Sequence, residues 1–210
     1  MRLQDYFYNN NIPPIARSFI RSVVDVRRDG NCGYRVVASY IFNDEHEYGV
    51  VRAAMAGELL AHYPLYDEVY TSTIPDAFRR LSWNGGACSE HYQFTVQEDL
   101  FLIATLFNAV VIFFGYSDRY PESTGMCFTC LPLYAKEGKT RPEREICIAH
   151  LGEDAKHYIR LNVNDNCPLP PILEAWRTTR LPSVQDWDNN YTRRLQAWED
   201  LLSARHQRRS

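Results

Sequence analysis

No stretch of this 210-residue sequence is apolar for long. The longest such run, Ala109 to Phe114, falls far short of the roughly 20 residues that span a bilayer, so no transmembrane helix is expected. A secretory signal is missing too: residues 1–11 carry Arg2, Gln4, Asp5 and three Asn where an apolar stretch would be needed, and a cytosolic or nuclear setting is the expectation. Charge of one sign is also lacking. Lys and Arg number 23 against 26 Asp and Glu, a formal net charge of −3, which argues against a nucleic-acid partner that reads the whole surface electrostatically. Repeats and low-complexity tracts are absent. Hydrophobic residues at 45% and charged residues at 23% describe an ordinary globular chain, long enough to bury a core without staples.

Cysteine is present at six positions, 32, 88, 127, 130, 147 and 167. In a reducing compartment free thiols are expected rather than disulfides. Cys127-Phe-Thr-Cys130 has the spacing of half a zinc site, but no second Cys-x-x-Cys completes a tetrahedron. A structural zinc is therefore not expected.

Periodicity then supplies the elements. A short strand over Phe19–Val26 runs into the turn cluster Arg27-Arg28-Asp29-Gly30-Asn31. Helical spacing follows over Cys32–Phe42, and again over Tyr48–Tyr63, where Pro64 marks the end. Asp67–Gly86 reads as a short helix and a loop, and Gln97–Phe107 as a helix leading to a buried strand over Ala109–Phe114. Met126–Leu131, Glu145–Leu151 and His157–Val163 are further strands, the last two forming a hairpin across residues 152–156. Cys167-Pro-Leu-Pro-Pro171 excludes helix. A last helix is expected from an N-cap at Ser183, with Val184, Trp187, Tyr191, Leu195, Trp198 and Leu202 on one stripe that docks on the core.

Chemistry concentrates at Asp29-Gly30-Asn31-Cys32-Gly33. A thiol at a helix N-terminus faces unpaired N–H groups and the positive end of the helix dipole, which favour thiolate. The same amides can bind an oxyanion, with Gly30 and Gly33 allowing close approach of a substrate carbonyl and Asp29 bracing the loop. A plain Asp-Gly turn before a buried structural cysteine would read the same way. A nucleophilic cysteine needs a base. Of His46, His62, His91, His150, His157 and His206, His157 opens a strand directly after a polar turn, and His150 is its rival.

Asp29-Gly-Asn-Cys32 before a helix, the Gln97–Phe114 helix and strand, and Lys156-His157-Tyr158-Ile-Arg-Leu161 together resemble the ovarian-tumour (OTU) family of papain-like cysteine proteases, across roughly Val24 to Val163. The tail, with Cys167–Pro171, Trp176, Trp187, Tyr191 and Arg194, resembles the extension on OTU domains associated with Mutator-like transposable elements. The resemblance implies an α+β, layered fold with a mostly antiparallel central sheet flanked by helices, a protease domain over residues 1–165, and a Pro-rich segment with a C-terminal helix over 166–210 packed on or beside it. It implies a deubiquitinase cleaving after the C-terminal Gly-Gly of ubiquitin, polyubiquitin or a ubiquitin-like modifier, working as a monomer without a membrane partner and needing no metal or organic cofactor.

Carried over by position, Cys32 is the nucleophile, His157 the base, Asp29 the organiser of the loop, the amides of Gly30, Asn31 and Cys32 the oxyanion site, and Gly33 and Tyr158 neighbours of the substrate. Many family members have Asp or Asn two residues after the histidine, where this chain has Ile159. Either the orienting group comes from another segment or the enzyme runs on a weak dyad; Asp25, pointing opposite to Val24 and Val26, is the preferred candidate, with Asp29 its rival and a solvent-facing or loop-bracing carboxylate the plain reading of Asp25. Without such an acid the chain would be a catalytically weak ubiquitin-binding module. A DNA-associated role through Arg193, Arg194, Arg205, Arg208 and Arg209 is the third reading.

Overall fold

The computed structural model describes residues 8, 10–120, 122–152 and 156–207. Its centre is a five-stranded sheet of β1 (Ile20–Val24), β2 (Ala109–Gly115), β3 (Cys127–Cys130), β4 (Arg144–His150) and β5 (Tyr158–Val163), in the order β1-β5-β4-β2-β3. Neighbours are antiparallel except β2 and β4, which run parallel. The mixed α/β fold class and the mostly antiparallel sheet expected from the sequence are thus present. β4 and β5 pair as a hairpin with His150 opposite Tyr158, although residues 153–155 of the connecting turn lie outside the described residues.

β2 is buried along its whole length, which is why its sequence is a continuous apolar run rather than an alternating one. Its two phenylalanines divide the faces. Phe113 stacks on its cross-strand partner Phe128 at 5.0 Å and stands near Tyr158. Phe114 points the other way, toward Trp198 at 6.1 Å.

Helices α1 (Cys32–Ile41), α2 (Tyr48–Ala61) and α5 (Glu98–Leu106) pack together beside the sheet, and the short helices α3 (Tyr63–Asp67) and α4 (Ile74–Leu81) lie against α2. Pro64 sits in the first turn of α3, where its missing N–H costs nothing. One hydrogen-bonded side chain fixes the height of α1 on the sheet: the Tyr40 hydroxyl donates to Leu161 O on β5 (2.5 Å) and accepts from Cys147 N on β4 (3.1 Å).

The tail folds against the sheet. Helix α6 (Glu174–Thr179) buries Trp176, whose indole N–H donates to Pro132 O at 2.8 Å, and Thr129 N donates to Pro171 O. The expected single helix from Ser183 is corrected. Short 3-10 turns occupy Pro182–Val184 and Trp187–Tyr191, and helix α7 runs from Thr192 to Gln207. Ser183 Oγ accepts Ala135 N instead of capping a helix. The intervening Asp186, Asp188, Asn189 and Asn190 favour turns, Asn190 bonding back to Trp187 O. The core stripe survives this change, since Val184, Trp187 and Trp198 are all buried. Of the C-terminal arginines, Arg194 pairs with Glu145 and Arg205 with Glu122, so these two serve the chain's own ion pairs; Arg208 and Arg209 lie outside the described residues.

Candidate active site

β1 ends at Val24, and the chain from Asp25 to Asn31 turns back so that α1 begins at Cys32. Gly30 makes the turn possible. Its φ is +82°, and a Cβ there would stand 2.4 Å from Cys88 O. Asp29 braces the loop twice: Oδ1 accepts Asn31 N at 3.0 Å, and the carboxylate holds Arg35 at 2.5 Å in a buried ion pair. Burial alone would raise the Asp29 carboxyl, but the Arg35 and Asn31 donors outweigh it and hold it below the usual range.

This bracing changes part of the expected oxyanion site. The Asn31 amide is committed to Asp29, which leaves Gly30 and Cys32 as the loop amides to consider for a developing negative charge. The Asn31 side chain is a fastener as well: Nδ2 donates to Gly86 O at 2.9 Å, and Oδ1 accepts from Arg52 at 3.1 Å. Cys88 N completes the clamp by donating to Asp29 O at 2.9 Å. Gly33 was expected beside the substrate. Its Cα faces Phe94, whose Cγ would lie 2.4 Å from any added Cβ, so the space there belongs to the chain's own aromatic cluster.

The Cys32 thiol lies against three backbone N–H groups, those of Tyr158, Gly33 and Cys32 itself. Tyr158 is the residue after His157, so the head of β5 and the start of α1 meet here. Burial pushes the Cys32 thiol up, and the three amides pull it down by less. The expected net lowering by the helix N-terminus is therefore reversed, because Cys32 is only 6% exposed and desolvation dominates.

His157 Nε2 lies 2.6 Å from Asp25 Oδ1. Its other ring nitrogen, Nδ1, is buried without a partner, a nitrogen left available at the site. Burial lowers the imidazole pKa and the Asp25 carboxylate raises it by less, so the neutral ring is favoured. Asp25 itself is held low by hydrogen bonds from Tyr8 and His157 that exceed its burial penalty. Tyr8 donates to Asp25 Oδ2 at 2.5 Å. Ile159 is fully buried in the core.

Tyr158 packs between Phe94 (5.3 Å) and His150 (4.9 Å). His150 thus belongs to the Tyr158 side of the hairpin, while His157 belongs to the Asp25 side. The structure pairs His157 with Asp25, and the Tyr158 amide that follows His157 brings the head of β5 to Cys32 and the Asp29–Gly33 loop. Sequence reasoning missed Tyr8, Arg52, Phe94 and the Gly86–Cys88 segment. Only Arg52 left a trace in the sequence, as a lone cation between Val51 and Met55 on the apolar face of α2.

What this arrangement can do follows from its parts: a thiol under amide donors, an imidazole with one nitrogen bonded to a carboxylate and one free, and a braced glycine loop. It has the makings of a cysteine nucleophile with its base.

No family model and no curated protein matches the sequence. Among solved structures, the viral OTU domain protease from Dera Ghazi Khan virus is similar over 71% of this chain and 85% of its own, at 14% identity and a TM-score of 0.50. The OTU domain of OTUD1 is similar over 67% and 84%, at 13% identity and a TM-score of 0.49. The Hazara virus OTU, determined bound to ubiquitin, is similar over 68% and 81%, at 15% identity and a TM-score of 0.46. At such identity the likeness is one of architecture, and the chain has the mixed α/β fold of OTU domains, a five-stranded sheet flanked by helices.

Proposed function

We propose that this chain is a thiol-dependent deubiquitinase, hydrolysing the isopeptide or peptide bond after the C-terminal Gly-Gly of ubiquitin or a ubiquitin-like modifier. The observation that carries the reading is the pairing of His157 Nε2 with Asp25 at 2.6 Å while Nδ1 stays buried and unbonded, immediately before the strand whose first residue, Tyr158, has its amide among the groups that lower the Cys32 thiol pKa. The Asp-Gly-Asn-Cys32 and His157-Tyr158 motifs supply the substrate class by their resemblance to OTU proteases.

In this reading the resting pair is thiol and neutral imidazole. His157 takes the Cys32 proton as sulfur attacks the glycine carbonyl carbon, and the Gly30 and Cys32 amides receive the charge forming on oxygen. Collapse of the tetrahedral adduct breaks the C–N bond, and the imidazolium returns its proton to the leaving amine. Water, deprotonated by His157, then hydrolyses the thioester and frees Cys32. Asp25 keeps the ring in its productive tautomer and stabilises the imidazolium.

The weak-module alternative drew on Ile159 in place of an orienting acid, and Asp25 answers that want from another segment. A monomer in the cytosol or nucleus suits the reading, as does a protease domain over residues 1–165 carrying its 166–210 extension. The likeness of that extension to Mutator-associated OTU domains stays part of the proposal, resting on Trp176, Trp187, Tyr191 and Arg194. Incubation with ubiquitin bearing a C-terminal electrophile tests the function: wild-type protein should gain one ubiquitin mass and Cys32→Ala none. Labelling at another cysteine, or no labelling of the wild type, rejects it.

A further inference from the structure

We infer that Tyr8 is a positioning residue of this site, holding Asp25 against His157 from a segment that precedes the sheet. The inference rests on the proposed role of His157 as the base. Its ground is how Asp25 is placed. Asp25 follows the last residue of β1, and its side chain is 41% exposed, so a carboxylate there could rotate into solvent and leave the imidazole. Three donors surround it. Val26 N (2.9 Å) and His157 Nε2 (2.6 Å) meet Oδ1, and Tyr8 Oη (2.5 Å) meets Oδ2. Two donors on one oxygen leave the plane of the group free to swing about that point; a third on the other oxygen fixes it.

Tyr8 is itself anchored. The residue is 9% exposed, and those after it are pinned by the buried Ile12, Ile15 and Ala16. Arg17 Nε donates back to Ile12 O at 2.9 Å, Asn11 N to Tyr8 O at 3.1 Å, and Asn164 N to Phe19 O at 2.8 Å, which ties the segment to the end of β5. Burial, then the neighbouring carboxylate, pushes the phenol up to about 12, so the hydroxyl stays a donor throughout the range in which a cysteine protease works. The chain Tyr8–Asp25–His157 therefore fixes one rotamer of a half-exposed acid, and with it the orientation of the ring.

A double-mutant cycle with two readouts tests this. The first is turnover on a ubiquitin C-terminal amide: Tyr8→Phe should lower kcat about tenfold, the weight of one hydrogen bond to a charged group, with KM within about twofold. The second is the His157 ring titration followed by NMR in Cys32→Ala protein, which needs no turnover. Asp25, Arg28, Glu45 and His150 are the charged or titratable groups acting on that ring. A loosened Asp25 lifts the imidazole less, so Tyr8→Phe should move the titration to lower pH, in the direction of Asp25→Asn and by a smaller amount. Both effects should vanish when Tyr8→Phe is made in the Asp25→Asn background, because Tyr8 acts only through Asp25. Wild-type kcat and titration in Tyr8→Phe, or equal shifts in both backgrounds, would overturn the inference. A wild type inert to every ubiquitin substrate removes the proposed function, and the ring titration then decides Tyr8 by itself.

Discussion

Asp25 and His157 are 132 residues apart in the chain, yet Oδ1 of one lies 2.6 Å from Nε2 of the other. β1 and β5 are paired antiparallel neighbours, with Val24 opposite Arg160, so the residue leaving β1 and the residue entering β5 emerge at the same end of the sheet. Cys32, at the first turn of the helix that packs on β5, faces the same corner.

Replacing Asp25 by Asn removes the carboxylate while keeping its size. Burial holds the His157 pKa below its ordinary value and Asp25 lifts it part of the way back. Losing that lift should move the acidic limb of the kcat/KM profile to lower pH, since the ring stays neutral further into acid. Turnover should fall by at least about tenfold, because the imidazolium loses its counter-charge. An unchanged limb would place Asp25 outside the reaction.

His157→Ala should lower turnover at least about a hundredfold, the general-base range. His150→Ala should retain most activity, because that ring packs on Tyr158 at the other side of the hairpin. Thermal melts of both variants separate loss of the base from loss of fold.

Small alkylating reagents and ubiquitin electrophiles should choose different thiols. Cys88 is only partly buried, whereas Cys127, Cys130, Cys147 and Cys167 are buried, with the Cys127 and Cys167 pKa values pushed up to about 12. Mass spectrometry after brief iodoacetamide treatment should find Cys88 modified ahead of those four. If His157 serves Cys32 as its base, as proposed, a ubiquitin electrophile should mark Cys32 and leave the other five cysteines unlabelled.

Gly33→Ala places a methyl group 2.4 Å from Phe94 Cγ. Overpacking of this kind costs about 1–3 kcal/mol, measurable as a lowered urea midpoint. Phe94→Ala in the same chain clears the ring and should relieve the clash, so the two substitutions should be strongly non-additive. Additive losses would show that Gly33 is needed for another reason.

Trp198→Ala opens a hole on the face of the sheet that Phe114 presents to α7. The expected cost is about 3–5 kcal/mol, with kcat of the folded protein unchanged because the Cys32 corner lies on the face that α1 covers. A loss of kcat at full folding would link the tail to the site.

Much of this was legible along the chain because it depends on near neighbours. The 3.6-residue period located α1, α2 and α5, the apolar run located β2, and the turn cluster before Cys32 put a thiol at a helix start. The alternation that singled out Asp25 does not hold, since β1 ends at Val24, which is exposed, while Val26 beyond it is buried; Asp25 is placed by the chain turning out of the strand. The helix expected from Ser183 failed for a tertiary reason as well as a local one: the serine hydroxyl is taken by Ala135 N, 48 residues away in sequence.

The sequence by itself determined most of the helices and strands before the C-terminal tail, and where a thiol, an imidazole and an acid could stand at their ends, since periodicity and turn chemistry act over a few residues. Only the tertiary structure decided that Asp25 meets His157, that Tyr8 holds Asp25, that Phe94 fills the space over Gly33, and that burial raises the Cys32 thiol against its helix amides. Each of these depends on strand order and packing between distant segments, and on the solvent they exclude, which no local pattern encodes.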